Sequence, residues 1–132
     1  MFVDGEVTHQ SSEVISIALN TYKNTGGAHG NSIISFLNFN PLDGALYTKE
    51  DVLEYMDDLK ILVKKHFQKA VEEETESGIE LEKGSFKLPE TIGFSEEGII
   101  CVYNQHELEA YSLKMLEFTI PFNEVSKYLL IY

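Results

Sequence analysis

The chain has 132 residues, 43% of them hydrophobic with eight Phe and seven Tyr, and sets 22 acidic against ten basic side chains for a formal charge of −12. That size suits one domain around one core, and no apolar run approaches the roughly 18 residues of a membrane-spanning helix. A surface of that sign repels phosphate backbones and anionic lipid, which excludes nucleic acid as an expected partner and favours a cationic protein.

Cys101 is the single cysteine, so neither an internal disulfide nor a multi-thiolate metal site can form within the chain. Its setting in "GIICVYN" predicts a buried structural thiol. The opening "MFVDGEVTHQ" lacks a basic region followed by an apolar stretch, so no signal peptide is expected. A cytosolic protein and an exported one without its leader both fit.

Residues 13–22, "EVISIALNTY", alternate so that Ile15, Ile17 and Leu19 share one face, the period of a half-buried strand. Residues 31–39, "NSIISFLNF", form a second run rich in β-branched and aromatic side chains. The intervening "NTGGAHGN" is most simply a hairpin connection, with glycine where left-handed backbone is needed. A turn follows at "NPLDG", residues 40–44. In "TKED", residues 48–51, Thr48 and Asp51 have the spacing of a capping box, so a helix starts there. Val52, Met56, Leu59, Val63, Phe67 and Ala70 then recur at steps of three and four, which predicts one amphipathic helix over about residues 49–74, ended by "EEETESG". The stretch from residue 78 to Pro89 reads as a loop with at most a short strand. "TIGFSEEGIICVYN" reads as a hairpin turning at Glu97-Gly98, with Ile99–Tyr103 as a central strand. "EFTIPF" places Phe118, Ile120 and Phe122 on one face, and the last ten residues predict a short helix capped by Asn123. The fold class expected is α+β: an antiparallel sheet, the long helix on one face, and a short C-terminal helix.

No motif names a reaction. "GGAHG" is followed by a strand rather than a helix N-terminus, and it lacks the glycine spacing of a dinucleotide site and the Gly-Lys-Ser/Thr of a P-loop. His29 has no nucleophile or orienting carboxylate in a local signature, so a structural role is expected of it. His9, His29, His66 and His106 are scattered without metal-ligand spacing, and neither metal nor cofactor is expected. With 22 acids, a chance pair of carboxylates at glycosidase spacing carries little weight. Residues 102–115, "VYNQHELEAYSLKM", are the richest in recognition chemistry, with Tyr103, Asn104, His106, Glu107 and Tyr111 as candidate ligand-binding residues. The bland alternative has the tyrosines packing at the core edge and His106 and Glu107 solvated.

The segments "TGGAHGN", "LNFNPLDGALYTKEDV" and "IGFSEEGIICVYNQHELEAYSLKMLEFTIPFNEV" together resemble a known family. It is the domain of unknown function at the C-terminus of the lysozyme-sensing anti-sigma factor RsiV, similar to a region accompanying the peptidoglycan deacetylase PdaC. Gly26, Gly27, Ala28, His29 and Gly30 fit its glycine-histidine loop, Glu107, Leu108 and Tyr111 fit a later segment, and Ile120, Pro121 and Phe122 fit the last strand. His106 departs from the family's usual tyrosine. The resemblance implies an extracytoplasmic, membrane-anchored setting and a non-catalytic binding module for a lysozyme-like protein or a cell-wall glycan. The alternative is a cell-wall polysaccharide enzyme, or an accessory domain of one, with Glu107 as acid. It also implies that Gly26, Gly27, His29 and Gly30 build a structural loop. Family members carry more strand-forming sequence before that loop. A single domain over residues 1–132 is therefore expected, short of N-terminal strands, with an open sheet edge through which two copies pair.

Overall fold

The computed structural model describes residues 2–23, 31–75, 86–108 and 115–132. Within them the chain is α+β, as its patterning predicts, but the strands form two three-stranded antiparallel sheets rather than one. The first sheet has the order β1 (Phe2–Gln10), β2 (Ile15–Lys23), β3 (Asn31–Phe39). The second has the order β4 (Ile92–Phe94), β5 (Gly98–Tyr103), β6 (Leu116–Pro121), with β5 central as expected. Strand β1 is not among the elements expected from the sequence, although "VDGEVT" alternates apolar or glycine with polar residues at the period of a strand. The loop carrying Gly26, Gly27, His29 and Gly30 lies outside the described residues.

The predicted helix is interrupted. Thr48 and Asp51 do make both bonds of a capping box, and α1 runs over Lys49–Val52. The chain then breaks at Leu53–Tyr55 and restarts as α2, Met56–Thr75. The reason is tertiary: the amide of Glu54 donates to Tyr128 O at 2.9 Å and that of Leu130 donates to Val52 O at 2.9 Å, so the C-terminal tail pairs across the break. Tyr55 takes a left-handed φ of 51° to turn the chain into α2. The C-terminal helix is also shorter than expected. It comprises α3 (Phe122–Val125) followed by a 3-10 turn over Ser126–Tyr128, with Pro121 rather than Asn123 in the cap position because strand geometry persists through Pro121.

Leu59, Val63, Phe67 and Val71 form the buried stripe of α2 and meet Phe94, Ile99, Cys101, Tyr103, Leu116 and Ile120 of the second sheet in one apolar core. Phe67 sits edge-on to Tyr103 with ring centroids 4.9 Å apart. The polar turn at residues 40–44 behaves as read, with Gly44 at φ 74° and Asp43 Oδ1 accepting the Ala45 amide at 2.9 Å.

The two sheets meet at the free edge of β4. Main-chain groups there that no strand pairs are taken by side chains of the first sheet. Asn38 Nδ2 donates to Ile92 O at 2.8 Å, Ser16 Oγ accepts the Phe94 amide at 2.9 Å, and Thr8 Oγ1 donates to Phe94 O at 2.7 Å. Ser16 Oγ in turn donates to Asn38 Oδ1 at 2.7 Å. The free edge of β3 is treated the same way. Asn104 bonds both the amide and the carbonyl of Ile34, at 3.0 and 2.9 Å, and Thr91 Oγ1 accepts the Phe36 amide at 3.0 Å. Between these bonds the Phe36 ring lies on Gly93, where a Cβ would fall 2.2 Å from a ring carbon.

Two outcomes follow from this packing. Asn38→Ala leaves Ile92 O and the Ser16 hydroxyl without their partner, so a loss of about 2 kcal/mol is expected in a urea melt, against less than about 0.5 kcal/mol for an exposed control such as Asn123→Ala. Burial pushes the Cys101 thiol up to about 12 from 9.0, so its contribution to stability is complete below pH 9 and declines as pH rises from 9 toward 12, where only the unfolded chain ionises. Native protein at pH 8 should therefore resist a thiol reagent that labels the urea-unfolded chain at once.

Candidate functional site

A groove of about 270 Å³ opens where the inner face of the first sheet looks onto the second. Its floor is apolar, from Phe36, Ile34 and Ile100, and its rim is acidic, from Asp4 and Glu6 of β1 and Glu117 of β6. Among the described residues, no lysine or arginine lines it. Strand alternation explains the rim: in the paired register Asp4 faces Asn20 and Glu6 faces Ala18, placing both acids on the side that carries Ser16 and Asn38. The rim is held by the seam described above, since Thr8 and Asn38 fix β1 and β3 against β4. Sequence reasoning missed these acids because it assigned no strand to residues 2–10. Its alternation could have found Asp4 and Glu6, whereas their approach to Glu117 belongs to the tertiary fold.

The turn after β5 adjoins this groove through Ile34, which lines the groove while its main chain is bonded to Asn104. Of the five residues expected to bind a ligand there, two face inward. Tyr103 is 4% exposed, packs on Phe67 and Phe118, and donates its hydroxyl to Lys87 O at 2.7 Å. Asn104 is likewise buried, on Ile34. Glu107 accepts the Asn104 amide at 2.7 Å and the Glu90 amide at 2.9 Å, one on each oxygen, and so ties the 3-10 turn at Gln105–Glu107 to the segment leading into β4. His106 is the exposed member, with Nε2 3.0 Å from Glu90 Oε1. Tyr111 lies outside the described residues.

The donor atoms of Glu90, His106 and Glu107 lie within 4.8 Å of one another, near enough for a divalent cation to bridge. Both Glu107 oxygens are already engaged by main-chain amides, and the imidazole is engaged by Glu90. The arrangement is accounted for as a structural clasp. Among the described residues, His66 and His9 stay apart from it. His66 pairs with Glu124 at 3.0 Å, and His9 lies against the rings of Phe94 and Phe122, with centroids 6.0 and 6.4 Å away.

Comparison with known proteins places the chain. A family model described as a protein of unknown function, DUF3298, matches residues 46–123, and one described as deacetylase PdaC matches residues 1–32. Among solved structures, a DUF3298 family member from Bacteroides fragilis superposes with a TM-score of 0.68 at 18% identity, over 96% of this chain and 53% of that one. A DUF3298 family protein from Pseudomonas aeruginosa PAO1 gives 0.66 at 18% identity, over 96% of this chain and 60% of that one. The chain thus spans little more than half the length of these relatives, whose likeness is one of fold. No curated protein matches it. With the first model covering more than half of its residues, from just before α1 to the start of α3, the chain belongs to the DUF3298 family.

Proposed function

We propose that this domain is a non-catalytic binding module of the bacterial cell envelope, acting outside the cytoplasm, that recognises a cationic protein of the lysozyme kind. The observation behind the reading is the groove rimmed by Asp4, Glu6 and Glu117, with no cationic side chain among the described residues that line it. On a chain with a charge of −12, such a groove attracts a basic partner from a distance. Its apolar floor of Ile34 and Phe36 suits the aliphatic stem of a Lys or Arg whose charged end meets the rim. The proposed surface continues onto the neighbouring turn, where His106 is the exposed contact and Tyr103, Asn104 and Glu107 hold the turn in place. A cell-wall glycan is the other ligand the sequence admits, and the carboxylate rim favours the cationic protein over it. No specific observation favours Glu107 as an acid in polysaccharide cleavage.

The test is calorimetric titration with lysozyme at about 0.05 M and about 0.5 M salt. Saturable binding is expected at low salt, weakened by high salt. The triple variant Asp4→Asn, Glu6→Gln, Glu117→Gln should bind about tenfold more weakly while melting like the parent. Affinity indifferent to both salt and the triple variant would contradict the reading.

A further inference from the structure

The first sheet has two unlike faces. In the paired register, its outer face carries the rows Val3–Thr21–Ile33, Gly5–Leu19–Ser35, Val7–Ile17–Leu37 and Gln10–Ile15–Phe39, with the pair Lys23–Asn31 at its end. None of the residues in the four three-strand rows is charged, in a chain whose formal charge is −12. Val3 is 52% exposed, Val7 56% and Ile33 41%. Ile15, Ile17, Leu19, Leu37 and Phe39 are half-buried, and none of them belongs to the core cluster or to the side chains packed on it. They are neighbours of one another across the strands. The carboxylates of this sheet's strands, Asp4 and Glu6, are on the opposite side, and the one charged residue that the register puts on the outer face is Lys23, at its end.

We infer that the outer face is where a second copy of this chain docks, sheet against sheet, to form a weak twofold dimer. Charge decides among the occupants. An anionic membrane surface is repelled by the whole molecule, and a cationic protein finds no carboxylate here to pair with. A second copy presents the same uncharged rows and keeps its carboxylates on the far side of its own sheet. The remaining repulsion between two bodies of like charge then acts across a sheet pair about 10 Å thick, close to the Debye length at physiological salt. Aligned packing of two antiparallel sheets is a standard solution for such faces.

Area sets the strength. Three strands about 4.8 Å apart and about eight residues long present a footprint of roughly 350 Å² per copy. A stable complex buries about 800 Å² on each partner, so the dimer is weak and depends on concentration. Salt should strengthen it by screening the repulsion, the opposite of the trend for a cationic partner in the groove.

Sedimentation equilibrium from about 10 µM to about 1 mM tests the proposal. The weight-average mass should rise from 15.0 kDa toward twice that value, and should rise further in high salt. Ile17→Lys with Leu37→Lys, in the middle row, should reduce association at least tenfold. Val7→Lys on the outermost strand is the milder variant should the pair unfold, and it should shift the same equilibrium in the same direction. Asp4→Asn with Glu6→Gln on the other face should leave association intact or tighten it. A mass that stays at one chain throughout would overturn the inference. So would a dimer that survives the lysines, which would place the contact at the sheet edges instead.

Discussion

The structure depends on how the unpaired edge of β4 is satisfied. A three-residue strand buried on its free side would strand the amide and carbonyl of Phe94 and the carbonyl of Ile92 away from water, each at a cost of about 1–3 kcal/mol. Thr8, Ser16 and Asn38, one from each strand of the first sheet, meet those groups with side-chain oxygen and nitrogen. Ser16 and Asn38 are therefore buried polar residues with work to do: they replace a missing fourth strand. Asn104 does the converse for β3, presenting its amide to the main chain of Ile34 as a neighbouring strand would. Two small sheets, each marginal as a free-standing unit, are thereby locked into one body.

That lock also shapes the functional surface. Because β4 is held through its edge, the inner face of the first sheet stays open beside it, and the acids of β1 stand across a gap from Glu117 of β6. Closer approach is limited by the Phe36 ring on Gly93. The domain consequently separates its chemistry by side. Carboxylates rim the face toward the second sheet, and mostly uncharged, aliphatic side chains cover the face away from it. An acidic protein with its charge so partitioned can meet a basic partner on one side and an apolar one on the other without the two competing.

Much of this was legible in the sequence where local pattern controls the outcome. The alternation of Ile15, Ile17 and Leu19, the capping box of Thr48 and Asp51, the apolar stripe of α2 and the turn at Gly44 all depend on neighbours within a few residues, and all are found in place. What was not legible depends on partners far along the chain. The break at Leu53–Tyr55 interrupts a good helical pattern because residues 128–130 bond across it. Tyr103 and Asn104 look like recognition residues in a polar segment, yet the fold turns them toward Lys87 and Ile34. Glu107 resembles an available acid until its two oxygens are seen on the amides of Asn104 and Glu90. Polar side chains that serve a neighbouring main chain and those that serve a ligand have the same composition, so only three-dimensional placement separates them.

Amide hydrogen exchange at Phe94 is the most direct measure of the edge bond on which this account rests. Its amide has no strand partner and bonds only to the Ser16 hydroxyl, yet it should exchange as slowly as the core amides of β5 and accelerate sharply in Ser16→Ala. Rapid exchange at Phe94 in the unaltered chain, at the pace of exposed loop amides, would contradict the claim that the two sheets are joined through this edge.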